Sequence, residues 1–127
     1  MPPKQSETLT DAELRVMKVL WEKGSGTVQQ VLDSITEKPA LAYNSVLTTI
    51  RILERKGYLK HSKDGRAHIF MPVVRQQDAT RTEIRHLVSR FFRNSNEDLV
   101  LNILEDQGIQ PAELDRLRKM LDRGDVK

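Results

Sequence analysis

A mainly α protein is predicted: three helices and a small β-hairpin in a first domain, then three more helices. Three observations predict it. Apolar residues recur with the helical period over most of the chain. The period changes to about two only around Asp64-Gly65. One late segment, "NEDLVLNILEDQ", is apolar on nearly every side. The chain of 127 residues suits one domain, or one small domain plus an assembly element. The expected division is a flexible tail over 1–8, a first domain over 9–75 and a helical region over 76–127.

The first helix is expected over 11–23. Thr10 with Glu13 three residues on forms a capping box, and Gly24 is its C-terminal stop. Leu14, Met17, Leu20 and Trp21 make a broad apolar stripe, read as core rather than as a ligand site. "GTVQQVLDSITEKP" is the second helix, with Val28, Val31, Leu32 and Ile35 at helical spacing and Pro39 as its end. Residues 36–41 are a short connection. "AYNSVLTTIRILERKG" gives the third helix over 42–56, closed by Gly57. Val46, Ile50 and Leu53 fall on one face. Asn44, Thr48, Arg51 and Arg55 line up opposite, at spacings of four, three and four. Two short helices with a tight link, the second polar on its outer side, describe a helix-turn-helix.

"YLKHSKDGRAHIFMP" then has two extended runs around Asp64-Gly65, a strong signal for a two-residue hairpin. A register centred on that dipeptide pairs Lys63 with Arg66, His61 with His68 and Leu59 with Phe70. The Leu59/Phe70 end packs on the helices, and the tip with Lys63 and Arg66 projects into water. Three helices followed by a basic hairpin outline a winged helix-turn-helix.

Beyond Pro72 the helical period returns. "TEIRHLVSRFFRN" puts Ile84, Leu87, Val88, Phe91 and Phe92 on one stripe. Ser95, with Asp98 three residues later, caps the next helix. Its Leu99, Val100, Leu101, Ile103 and Leu104 point all round the axis. "PAELDRLRKMLDRG" begins with Pro in the first turn and ends at Gly124, with Leu114, Leu117 and Leu121 as its stripe. Three helices this short bury little alone, so a second copy is the economical cover. The expected dimer interface is Ile84, Leu87, Val88, Phe91, Leu99, Val100, Ile103, Leu104, Leu117 and Leu121.

Charge points to the partner. The whole chain carries +3, but residues 38–75 hold 8 basic and 2 acidic side chains. A focused basic patch suits a polyanion. An α-helix fits the major groove of DNA, where Asn reads adenine and a Thr methyl packs on thymine. Asn44, Ser45, Thr48 and Arg51 are the expected base-reading residues. Tyr43, Arg55, Lys56, Lys63 and Arg66 are expected at phosphates, which position a protein without reading sequence. The chain has no cysteine, no phosphate-binding glycine loop, no nucleophile elbow and no HExxH. His61 and His68 alone are an incomplete zinc site and read as partly exposed hairpin histidines, either of which could touch a phosphate; His86 reads as surface. No enzyme activity, metal or cofactor is expected. No signal peptide or membrane-spanning run is seen, and the expected location is the cytoplasm.

The chain resembles the penicillinase-repressor regulators of the BlaI/MecI type, over about residues 9–123. "LTDAELRVMKVLWEKG", "AYNSVLTTIRILERKGYL" and "DGRAHIFMPV" carry the resemblance, with the weaker "DLVLNILE" in the tail. It implies a homodimeric winged-helix repressor on double-stranded operator DNA, an inverted repeat with TACA/TGTA cores. It also implies a membrane sensor protease that acts indirectly, ending repression by a cut after an asparagine in a "VLN" context. Here Asn102 and Ile103 stand at that bond, with isoleucine where the family sequences place phenylalanine. Ile52 stands where the family commonly has arginine, with Arg51 beside it. The cysteine cluster of the copper-responsive branch resembling CopY is absent. A winged helix that binds another protein, or an activator, fits the same residues without the resemblance.

Overall fold

Three of the described helices, α1, α2 and α5, start where a side chain satisfies one of their first N–H groups. The computed structural model describes residues 8–35 and 41–124. In α1 (Asp11–Lys23), the Thr10 hydroxyl accepts from the Glu13 N–H, and the Glu13 carboxylate accepts from the Thr10 N–H. Gly24, at φ 87°, closes the helix. α2 (Val28–Ser34) has a second capping box, Thr27 with Gln30. α3 (Tyr43–Lys56) ends at Gly57, which is left-handed. The hairpin is β1 (Leu59–Asp64) with β2 (Ala67–Pro72), followed by α4 (Gln76–Phe91), α5 (Asn96–Gln107) and α6 (Pro111–Arg123). The predicted mainly α class with a small antiparallel wing is the one observed.

Two expectations need correction. The second helix stops at Ser34, not near Pro39, because Ile35 has already turned extended, at ψ 110°. Pro39 and most of the expected connection lie outside the described residues, as does the expected tail up to Glu7. The hairpin register is also shifted by two. Asp64 pairs with Ala67, Lys63 with His68, His61 with Phe70 and Leu59 with Pro72. The central turn residues are therefore Gly65 and Arg66. Gly65 alone has positive φ, at 63°. A turn with that conformation at its first central position suits Gly there, whereas Asp64-Gly65 at the centre of a type I′ turn would need it at both. A shift of two keeps every side chain on its expected face, so Leu59 and Phe70 are still buried.

The chain divides into two compact units between His86 and Leu87. In the first, α3 packs on α1, α2 and β1, and β2 packs on α1 and α2. Val16, Met17, Leu20, Val31, Val46, Ile50 and Leu53 are completely buried, with Tyr58, Leu59 and Phe70 closing the core from the hairpin side. Gly26 exchanges two backbone hydrogen bonds with Phe70, so the link between α1 and α2 adds a single bridge to the wing. The Trp21 indole N–H donates to the Val74 carbonyl at 2.8 Å, as a side chain at the core's edge rather than in a ligand site. Ala79, in the first turn of α4, belongs to this core. Farther along α4, the Glu83 carboxylate accepts from the Leu9 N–H at 2.6 Å.

The second unit is built differently. Ser95 caps α5 through the Asp98 N–H, and Pro111 opens α6. Val100, Leu101, Ile103, Leu104, Leu114, Leu117, Met120 and Leu121 are 36–64% exposed. Leu87, Phe91, Phe92, Leu99 and Ile103 line an open groove of about 290 Å³, with Asn102 and Asp106 at its edge.

Among the described residues of the first unit one charged group is buried. Glu13 is 4% exposed, and the Lys56 ammonium meets its Oε1 at 2.8 Å and the Thr8 carbonyl at 3.3 Å. This pair ties the end of α3 to the start of α1. Removing the cation strands a buried carboxylate, which costs about 3 kcal/mol or more. Lys56→Met should therefore lower unfolding stability by about that amount in urea denaturation. A change below about 0.5 kcal/mol would show that the pair does not hold the two helices.

Candidate nucleic-acid interface

The rotation of α3 follows from its apolar side. Val46, Ile50 and Leu53 are fully buried, so the opposite edge faces out. Asn44, Ser45, Thr48, Arg51 and Arg55 are all exposed on it. Tyr43 is 45% exposed. Thr49 spends its hydroxyl on the Ser45 carbonyl, 2.8 Å away. Ala42 occupies the N-cap with no side-chain cap. The first-turn N–H groups of α3 thus carry the positive end of the helix dipole without a capping oxygen, among the described residues.

The wing stands beside this edge. A cleft of about 610 Å³ runs between them. Tyr43, Leu47, Arg51 and Glu54 form its α3 wall, and His61, Arg66, His68 and Phe70 its hairpin wall. The start of α2 contributes Thr27 and Gln29. Arg51 and Arg66, far apart in the sequence, therefore face one space. Lys63 is exposed on β1 near the tip. This is a basic concavity flanked by a polar helix edge, with the geometry of a polyanion seat.

Lys56 is not on this edge. Its charge is turned inward onto Glu13, leaving the side chain 19% exposed. His61 and His68, the hairpin histidines either of which could touch a phosphate, line the cleft, and so does Glu54, which the sequence reading did not place there. Arg51 and Glu54 are three apart on one helix, which is the signal that would have found Glu54. His61 Nδ1 contacts Glu54 Oε2, joining the two walls. The His61 and His68 rings stack with centroids 4.7 Å apart, although they are not register partners. Among the described residues no three His, Cys, Asp or Glu side chains gather in a way that could hold a metal.

Among the expected interface residues, Ile84, Leu87, Phe91, Val100, Ile103, Leu104, Leu117 and Leu121 are exposed, and Leu99 is partly buried. Val88 is only 4% exposed in the single chain, so it already belongs to its own subunit's packing. Asn102 is exposed in the middle of α5.

The model of the family described as penicillinase repressor matches residues 9–123. The chain belongs to that family. It is 28% identical over 119 residues to the penicillinase repressor of Bacillus licheniformis, covering 94% of this chain and 93% of that one. It is 22% identical over 115 residues to the methicillin resistance regulatory protein MecI of Staphylococcus aureus, covering 91% and 94%. Among solved structures it resembles the DNA-binding domain of the repressor BlaI. The TM-score there is 0.52 and the identity 31%, over 59% of this chain and 92% of that domain. The part matched in that structure is winged-helix, as is the first unit here.

Proposed function

We propose that this chain is a DNA-binding transcriptional repressor that seats an operator half-site on α3 and the wing, and binds an inverted repeat as a homodimer. The observation that carries this reading is the shared cleft: Arg51 from α3 and Arg66 from the hairpin face one concavity beside the exposed Asn44, Ser45 and Thr48. Asn44, Ser45, Thr48 and Arg51 read bases in the major groove. Tyr43, Arg55, Lys63 and Arg66 hold phosphates, with the uncapped start of α3 adding its N–H groups. Membership of a family of repressors supplies the sense of regulation. A repressor of this kind works in the cytoplasm, and no described helix is long and apolar enough to cross a membrane.

Fluorescence anisotropy with duplexes carrying TACA/TGTA inverted repeats tests the reading. Affinity should fall by about a thousandfold or more between about 50 mM and 200 mM salt as counterions are released. A single half-site should bind much more weakly than the repeat. In the same assay Thr48→Ala should lose about 1–3 kcal/mol of sequence discrimination. Arg66→Ala should weaken all duplexes alike and lower the salt slope by about one unit. Affinity that ignores salt, or equal binding to repeat and half-site, would overturn the proposal.

The division proposed is a DNA-binding domain followed by helices that dimerise. Ala79 and Glu83 belong to the first unit's packing, so a chain ending at His86 keeps that packing, whereas one ending at Val74 would not. The chain ending at His86 should be folded and monomeric in sedimentation equilibrium. A stable dimer would move the interface elsewhere.

Repression ends, in this reading, by a cut between Asn102 and Ile103 that follows signalling by a membrane sensor. The bond sits inside α5, so the helix must open locally before a protease can hold it. The cut would sever the most apolar helix of the dimerising region. Mass spectrometry of protein from induced cells should find a fragment ending at Asn102. Intact protein released from its operator would refute this route.

A further inference from the structure

The wing wall of the cleft carries an arrangement that a plain phosphate contact does not need. The His61 and His68 rings are nearly parallel, 16° apart, with centroids at 4.7 Å. Phe70 lies against both, at 5.5 and 6.3 Å, and is itself buried. Glu54, on α3, holds His61 through Nδ1. His61 is therefore fixed on two sides, by a carboxylate and by a stacking partner, and it in turn fixes the plane of His68. His68 is exposed and lines the cleft together with Arg51 and Arg66.

Basic side chains gather around His68. Arg66 lies in the turn that leads into its strand, Lys63 is its register partner on β1, and Arg51 lines the same cleft from α3. Glu54 is engaged by His61, and the start of α2 brings only the uncharged Thr27, Val28 and Gln29 to the cleft. A phosphodiester backbone in the cleft would place negative charge beside His68, which favours the protonated imidazole. Imidazole is the side chain that can take a proton near neutral pH in answer to such a change.

We infer that His68, held in place by His61 and the positioning residue Glu54, is a proton-linked contact to the DNA backbone, so that operator affinity falls as pH rises through neutrality. The inference rests on the DNA-binding reading of the same cleft. The sign follows from linkage: a proton taken up on binding makes the complex weaker as protons become scarce, by at most about tenfold per pH unit for one proton.

The test is anisotropy with a duplex carrying the TACA/TGTA inverted repeat, at fixed salt, from about pH 6 to about pH 8, the range in which an imidazole changes charge. The full-length protein should lose affinity steadily across that range. His68→Gln should bind with a flattened profile. His68→Arg, whose charge is fixed, should keep the low-pH affinity of the natural chain and lose the pH dependence. Glu54→Ala should weaken binding at low pH, where the aimed imidazolium acts, more than at high pH. A flat profile in the natural chain, or an unchanged profile in His68→Gln, would overturn this inference while leaving the DNA-binding reading standing. Absence of duplex binding at every pH and at low salt would overturn both.

Discussion

Burial of Val46, Ile50 and Leu53 fixes the rotation of α3 about its own axis, and the candidate site depends on that rotation. Each of these side chains is worth about 1.5–3 kcal/mol when removed from water. A rotation that exposed them would also bury Arg51 or Arg55, whose charges would need partners in the core. The polar edge is thus a consequence of the apolar one. The same constraint explains why Thr48 and Thr49, neighbours of one residue type, have different surroundings. Thr48 lies on the exposed edge, while Thr49 is half-buried and bonded to the backbone of the preceding turn.

Rotation alone does not fix where the ends of α3 lie. At its C-terminus, Gly57 turns the chain and Tyr58 is buried immediately after it. Lys56 reaches back to Glu13 and Thr8. The segment at Thr8 and Leu9 also reaches Glu83 on α4. The start of the described chain thus touches both α3 and α4. The wing is fastened separately, by the Gly26–Phe70 bridge and by Glu54 against His61. Helix edge and hairpin keep their spacing because both rest on one core, and the cleft between them is the residue of that packing.

Most of this was legible in the sequence where the cause was local. Capping residues and terminal glycines placed α1 and α3 to within a residue, because caps are decided by neighbours in the chain. The Thr27/Gln30 capping box was equally visible and was not used. What was not legible depended on partners far away. Glu13 reads as a surface capping residue, and only the arrival of Lys56 allows its burial. Lys56 reads as one more basic group of the recognition helix for the same reason. The hairpin register failed more subtly. Asp-Gly announced a two-residue turn, but whether Gly65 is the first or second central residue depends on the backbone twist, and the alternation of side chains is the same in both.

The charge distribution separates two tasks that compete in a small protein. Residues 38–75 carry the excess of basic groups, while residues 76–127 hold 9 basic and 10 acidic side chains. A positive field that attracts DNA also makes two subunits repel each other. Placing self-association on nearly neutral helices removes that conflict from the proposed dimer. Eight large apolar side chains of α5 and α6 remain 36–64% exposed in the single chain, which is a large uncovered surface for a monomer. Covering it with a second copy would also tether two half-site readers. The second half-site then binds at high effective concentration, and the operator affinity exceeds what one cleft supplies. In the proposed dimer the strength of DNA binding would be set as much by these helices as by the proposed contacts of Arg51 and Arg66. That is why a cut within α5 would suffice to release an operator without altering any residue that faces it.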